Sequence, residues 1–523
     1  MSKFVKGAII LILAGFITRI LGFINRVVIA RVIGEEGVGL YMMAFPTFIL
    51  VITLTQLGLP VAISKCVAEA EAQGDKKKVK KILVVSLATT LSLSLIFTPA
   101  LLLLAPVLSD LLFTDPRTIY PLMAIAPVIP IIAISSVIRG YFQGRQNMKP
   151  AALSQVIEQF VRILLIAFMT KAFMPYGVEY AAAAAMVASI MGELVSLIYL
   201  LTMFKLKKHF RVRKKFFQSI QSGKDTFGEL MSVALPTLGS RMIGSVSWFF
   251  EPIVVAHSLA LAGVAAQLAT KQYGALTGFA LPLLFLPSFI TYALSTSLVP
   301  AISEANSLNN RKLVESRLNQ TLRFSYVTGG LSVVILFVLA EPLMEAMYGS
   351  SNGSDFIKVM APFFVIYYVQ GPLAAVLQAL DMARAAMYNS LFGNLAKLAT
   401  IFLLASNPKF GIMGAALGMV VGMVLVTFLH YFTVLKTIQF SINVRELIKV
   451  MATMLLTGWF GGLILGQAHS LPLVLKIIVA TLVMTCLYLL LVGMLGLVKK
   501  EETDRIPYIG GFLSRLTLIQ IIK

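Results

Sequence analysis

Long apolar runs alternate with short polar or charged stretches along the whole chain. Runs such as 82–105 and 471–498 are continuous rather than alternating. Continuous runs of about 20 residues are helix spans, whereas a membrane barrel would give alternating segments of roughly ten. In lipid every backbone N–H and C=O must be paired within its own segment, which a helix achieves. The pattern therefore predicts an all-α polytopic membrane protein with about 14 transmembrane helices. The expected spans are 7–31, 39–63, 81–108, 118–142, 151–173, 177–204, 229–256, 270–299, 320–345, 355–380, 386–406, 411–435, 447–467 and 471–498. An amphipathic tail at 506–522 is expected to lie on the membrane surface.

Charge adds orientation. Every second loop is basic, as at Lys76–Lys81, Lys205–Lys215, Arg311–Arg323 and Lys436–Lys449, while the loops between are short and mixed. Basic loops stay in the cytosol, so both termini are expected there, in the cytoplasmic (inner) membrane of a bacterium. The net charge of +21, from 44 Lys+Arg against 23 Asp+Glu, is gathered in those loops, which argues against nucleic acid as a partner. Hydrophobic residues make up 58% and charged residues 13%, an excess of apolar surface that needs lipid as its solvent. Two cysteines, Cys66 and Cys486, have no metal-ligand spacing and no reason to pair. The start, Met1–Lys6 before an apolar run, imitates a signal peptide. Arg19 interrupts the run and no small-residue cleavage site follows, so it reads as the first span.

The chain also repeats itself. Arg19-Ile20-Leu21-Gly22 resembles Arg241-Met242-Ile243-Gly244, and Pro60-Val61-Ala62-Ile63-Ser64 resembles Pro300-Ala301-Ile302-Ser303. Ala126-Pro127 and Gln143 match Ala361-Pro362 and Gln378 at one offset, which also pairs Arg162 with Lys397. Gly177 and Gly411 each precede an Ala-rich stretch. This order predicts a six-helix lobe over 1–224, a second over 225–440 in the same orientation, and two further helices with the tail over 441–523. Parallel repeats are a transporter plan, with the substrate site at the repeat interface.

No H-E-x-x-H, G-x-S-x-G or P-loop pattern occurs, so no enzyme chemistry, cofactor or metal is expected. The notable residues are charges inside spans. Arg19 and Arg26 are seven apart and share a helix face. An arginine there costs about 3 kcal/mol on insertion scales and normally faces water or a partner. Gly15 and Gly22 follow the same spacing. The plainer reading has Arg26 reaching to the interface beside Arg31. Arg241 is the repeat mate of Arg19. Two guanidiniums from matching helices would favour phosphate or pyrophosphate. Lys271 joins them or sits at the outer interface. Glu251 either couples an ion or neutralises an arginine. Glu158 and Arg162 are spaced for an internal ion pair, and Glu193 and Lys397 have no obvious mate. Arg139 and Arg145 flank the cytosolic entrance, where they grip a headgroup phosphate or act only as anchors. Pro127, Pro130, Pro252, Pro282 and Pro287 are candidate kinks.

The stretches Thr18–Arg26, Gly34–Tyr41, Leu59–Lys65, Ser136–Met148 and Trp248–Pro252 together resemble the polysaccharide-export branch of the MOP (multidrug/oligosaccharidyl-lipid/polysaccharide) superfamily, over essentially the whole chain, and its sporulation members in particular. The resemblance implies two helical lobes and outward movement of a polyprenyl-pyrophosphate-linked saccharide, for spore cortex peptidoglycan. The implied partners are that anionic lipid-linked saccharide, the bilayer and cell-wall synthases. It also implies a basic central cavity in which Arg19 is the first cation. The family's second arginine falls on Asn25 here, and Arg26, one place later, is turned by about 100°. Two other readings stay open at this point: a cation-coupled multidrug antiporter of the same superfamily, and a non-transporting scaffold for wall synthesis.

Overall fold

In the computed structural model, residues 3–207, 222–438, 440, 444–467 and 471–497 are described, and among them there is no strand. The expected tail at 506–522 and most of the basic segment 205–215 lie outside the described residues. The helices are α1 (Lys3–Gln56), α2 (Leu59–Ala72), α3 (Lys76–Val107), α4 (Ile119–Ile125), α5 (Val128–Gly144), α6 (Met148–Phe173), α7 (Val178–Lys207), α8 (Lys224–Leu261) and α9 (Ala266–Gly274). They continue with α10 (Leu281–Phe285), α11 (Ser288–Ser307), α12 (Arg311–Val338), α13 (Ala340–Tyr348), α14 (Ser354–Ala379), α15 (Ala383–Ala405), α16 (Gly411–Ile438), α17 (Val444–Gln467) and α18 (Leu473–Met494).

The protein is a multi-pass membrane protein. Ten stretches among the described residues are long and apolar enough to cross a bilayer, or up to 12 if each of two bent pairs is one span. The sequence pattern gave about 14. The difference has two sources. The expected spans 7–31 and 39–63 both fall in one apolar stretch, Leu13–Ala72, in which the break at Gly34 separates two helices and the turn at Leu57 and Gly58 separates α1 from α2. The expected span 386–406 is α15, whose Arg384, Asn389, Asn394 and Lys397 dilute its apolar character, and it is not among the ten. Pro127 stands at a 41° bend between α4 and α5, and Pro287 at the break between α10 and α11. Pro252 is carried inside α8.

Two compact units divide the chain: Met1–Gly278 with Phe402–Ile412, and Phe279–Ile401 with Met413–Lys523. In the first, glycines set the helix spacing. A methyl on Gly140 would come 2.9 Å from the carbonyl oxygen of Pro60, and one on Gly144 2.7 Å from that of Ser64, so α5 lies directly on α2. Gly192 brings α7 against α6 in the same way, with Glu158 O at 2.9 Å from the added carbon. Ile63, Val67, Ile82, Leu83, Tyr141, Phe142, Leu200 and Leu230 form a buried cluster from α2, α3, α5, α7 and α8. In the second unit, Leu298, Ile302, Leu318, Leu373, Val376 and Phe440 form another. Two buried tyrosines tie backbone there: Tyr368 Oη donates to Leu284 O at 2.8 Å, and Tyr488 Oη to Val327 O at 2.8 Å. Such bonds satisfy carbonyls that lipid cannot.

Candidate functional site

Helix α1 changes direction at Gly34, where φ is 69° and ψ −175°. That conformation is essentially open only to glycine. Around this break the chain returns toward itself, and the two parts of α1 supply facing walls of a cavity of about 170 Å³ in the first unit. Gly22, Asn25, Arg26 and Ile29 come from one part, and Val38, Tyr41, Met42 and Phe45 from the other. Gln159 and Arg162 of α6 and Gly278 complete it. Glycine matters at two of these positions. A side chain at Gly278 would overlap Val38, whereas Gly22 has nothing within 4 Å of an added carbon and so leaves the cavity open.

The lining is cationic and incompletely satisfied. Asn25 is 6% exposed, and its Oδ1 has no hydrogen-bond partner. Arg162 Nε is likewise buried without one, although its Nη2 is paired with Glu158. An unmatched acceptor and an unmatched guanidinium N–H in one enclosure cost free energy unless something polar fills it. Among the described residues, no carboxylate lines this cavity.

The other residues singled out by the sequence lie elsewhere. Arg19, one turn before Gly22, is largely exposed and is not in the cavity wall. Arg241 is exposed on α8, four residues before Ser245, whose Oγ is 3.1 Å from Thr53 Oγ1. Lys271 Nζ is 3.9 Å from Glu35, with half its side chain exposed. Glu251 is buried at 7% exposure, one turn after Trp248, whose ring packs edge-on to the cavity residue Phe45 at 5.7 Å. Arg145 binds Glu71 at 3.0 Å, Tyr141 Oη at 3.0 Å and Lys207 O at 3.1 Å, tying α5 to α2 and α7.

Arg139 lies in the interior of the first unit. Its Nη2 is 3.1 Å from Glu193 Oε1, 3.2 Å from Glu158 Oε2 and 2.9 Å from Ser196 Oγ, and its Nε is 3.3 Å from Ser154 Oγ. Glu193, which had no mate in the sequence reading, is thus paired across 54 residues. The expected Glu158–Arg162 pair is present. Sequence reasoning did not place Arg162 in a cavity, although its i, i+4 carboxylate and its repeat match with Lys397 marked the position.

A second polar cluster organises the loop before α4. Asp115, 2% exposed, accepts from Arg117 Nη2 at 2.8 Å and Nε at 3.1 Å, and from Thr270 Oγ1 at 2.8 Å. Arg117 Nη1 reaches Glu36 at 2.6 Å. Burial alone would raise the Asp115 carboxyl, but the hydrogen bonds from Arg117 and Thr270 outweigh it and hold it below the usual range.

The second unit contains a larger apolar cleft of about 870 Å³. Val334 and Phe337 of α12, Pro362 and Ile366 of α14, Phe428 and Tyr431 of α16, and Met451, Met454 and Trp459 of α17 line it.

The family described as "Polysaccharide biosynthesis protein" matches residues 4–306, and the MatE family matches 252–403. The chain is 59% identical to stage V sporulation protein B of Bacillus subtilis (strain 168), over 98% of this chain and 99% of that protein. It is 24% identical to the lipid II flippase MurJ of the same organism, over 97% and 98% respectively. Among solved structures, MurJ in an inward closed conformation superposes with a TM-score of 0.64 at 17% identity, covering 91% of this chain and 98% of that one. An inward-facing MATE transporter of the MOP superfamily also gives 0.64 at 17% identity, over 81% and 94%. At that identity the structural likeness speaks for the fold.

Proposed function

This chain belongs to the polysaccharide biosynthesis protein family of the MOP superfamily, and from that membership we propose that it is a flippase. Its cargo in this reading is a polyprenyl-pyrophosphate-linked saccharide, a lipid II-like peptidoglycan precursor, carried outward across the bacterial cytoplasmic membrane for spore cortex synthesis. Both termini lie in the cytosol, because the basic loops alternate. The repeated halves 1–224 and 225–440, with 441–523 appended, supply the moving bodies of alternating access. Wall-synthesis enzymes are the partners that make or consume the cargo.

The observation that carries this reading is the cavity of the first unit. Arg26 and Arg162 bring positive charge into an enclosure, and Asn25 Oδ1 is left unsatisfied there. Guanidiniums suit a pyrophosphate through paired hydrogen bonds, and the amide oxygen suits a sugar hydroxyl. At about 170 Å³ the enclosure holds part of a headgroup, not a whole lipid. Arg19, Arg241 and Lys271 we assign to the path the headgroup follows before and after it. Arg145 is an anchor that ties α5 to α2 and α7, Arg139 is held in the interior by Glu158 and Glu193 rather than at the entrance, and Glu251 neutralises charge near the cavity wall. The apolar cleft of the second unit suits a prenyl chain, which needs no polar contact. A cation-coupled drug antiporter would need carboxylates in the cavity, and among the described residues none lines it, Glu158 and Glu193 being engaged with Arg139 and Arg162.

The test is transport of fluorescent lipid II in proteoliposomes. Arg26→Ala is expected to slow outward delivery at least about tenfold, a loss of roughly 1.4 kcal/mol. Wild-type rates in Arg26→Ala, Arg19→Ala and Arg241→Ala alike, at normal expression, would remove the cationic mechanism.

A further inference from the structure

Beside the cavity, α5, α6 and α7 bury two carboxylates and two guanidiniums in one cluster. Glu193 is 2% exposed and Glu158 8%. Both approach the same atom, Arg139 Nη2, at 3.1 and 3.2 Å, and Ser196 Oγ is 2.9 Å from it. That nitrogen carries two hydrogens and faces two carboxylates and a hydroxyl. Arg162 supplies the remaining charge through Nη2 to Glu158, while its Nε is unpartnered and the side chain lines the cavity. Arg162 therefore belongs to both places. The close approach that Gly192 allows between α6 and α7 holds the carboxylates together.

Counted as ionised, the cluster is neutral: Arg139 and Arg162 against Glu158 and Glu193. An anion in the cavity competes with Glu158 for Arg162. Once Arg162 turns to the anion, Arg139 alone faces two buried carboxylates, and a net negative charge is left in a low-dielectric interior. Such a charge is costly unless one carboxylate is neutralised. A proton from water does this, converting one carboxylate to a carboxylic acid whose O–H donates to its neighbour. Two carboxylates in one site raise the proton affinity of the pair. On the cavity side, Arg162 shares the lining with Tyr41 and Arg26 of α1. Helix α4 also packs on α7 but contributes only Tyr120, beside Tyr180 near the start of α7.

We propose that Arg139, Glu158, Arg162 and Glu193 form a proton-linked anion site: binding of a pyrophosphate headgroup in the cavity draws Arg162 away from Glu158, and the carboxylate pair takes up one proton. When the anion leaves, Arg162 returns and the proton is released. This rests on the flippase reading, because it requires an anionic ligand in that cavity.

The experiment is calorimetric titration of the full-length protein in detergent with lipid II, in two buffers of different ionisation enthalpy near neutral pH. The pyrophosphate diester of lipid II does not titrate there, so any proton counted belongs to the protein. The wild type is expected to take up about one proton per lipid bound, and its affinity to fall by up to about tenfold per pH unit as the pH rises. Glu193→Gln is expected to bind with a proton count near zero and a flat pH profile. Wild-type binding with no proton uptake overturns the proposal and leaves the flippase reading standing, and this count decides the matter even if the Gln variant does not fold. No binding of lipid II by the wild type removes the reading and the proposal together.

Discussion

The hydroxyl of Thr270 on α9 donates a 2.8 Å hydrogen bond to Oδ2 of Asp115, a residue 155 positions earlier in the chain. Arg117 completes the arrangement by binding both Asp115 and Glu36. Three stretches of the first unit, around Glu36, Asp115 and Thr270, are thereby held by one buried carboxylate. The packing beneath is equally close, since a methyl on Gly39 would overlap the carbonyl oxygen of Thr270 and one on Gly274 that of Glu35. The lock is both polar and steric.

Asp115 should therefore give the stability of the protein an acid limb. Its folded carboxyl is held below its ordinary value, with an unfolded value of about 3.9. Its contribution is complete above that unfolded value and is lost as the pH falls through the folded one. Asp115→Asn is expected to cost about 3 kcal/mol at neutral pH, by leaving Arg117 without its main partner, and to remove this part of the acid dependence. Thermal unfolding in detergent from neutral pH downward checks both. Equal acid slopes in the two proteins would mean that Asp115 is not the titrating group.

The helical architecture and the basic residues near the start of the chain were legible because periodicity and charge are local signals. Arg26 and Asn25 reach the cavity wall from a stretch that the pattern already marked. Two things were not legible. The gap between the expected spans 7–31 and 39–63 already brackets Gly34, but how the two parts of α1 face each other across the cavity shows only in the structure. Arg139, the mate of Glu193, is 54 residues away, and Thr270, which bonds Asp115, is 155 residues away. Pairings at that separation depend on helix packing set by Gly192, Gly39 and Gly274, which one sequence does not expose.

Gly34→Ala tests whether that break shapes the cavity. A methyl there meets no neighbouring atom within 4 Å, so the substitution acts through the backbone alone. Forcing a non-glycine residue into this region costs about 1–3 kcal/mol. The relaxed chain should straighten α1 and move Tyr41 and Phe45 away from Asn25. Transport of lipid II is expected to fall more steeply than stability does. A variant with wild-type transport and a lowered melting temperature would make Gly34 a matter of folding only.

Asn25→Asp changes the charge of the cavity with almost no change in shape. A carboxylate at a position 6% exposed, beside Arg26 and Arg162, would pair with a guanidinium and repel an anionic headgroup. Affinity for lipid II is expected to drop at least about tenfold, or 1.4 kcal/mol. Binding of a lipophilic cation would rise if it changes at all. Titration of both ligands against both proteins separates the cases, and tighter lipid II binding by the variant would reverse the assigned sign of the site.

The cleft of the second unit offers a test that depends on chain length rather than charge. Gly458 is on its wall, and the nearest atom to an added carbon there is Val334 Cγ1 at 3.7 Å, so alanine fits without displacement. Tryptophan at the same place would project into the cleft and occupy much of the space between Phe337 and Met451. If a prenyl chain lies there during transport, Gly458→Trp should slow a long-chain lipid II by about tenfold or more, since each buried CH₂ contributes about 0.8 kcal/mol. A short-chain analogue with the same headgroup, which does not fill the cleft, should be moved at nearly the rate seen with Gly458→Ala. Equal inhibition of both substrates would point to a general defect of the helix pair α12 and α17. No inhibition of either would mean that the tail travels in the bilayer and the cleft has another occupant.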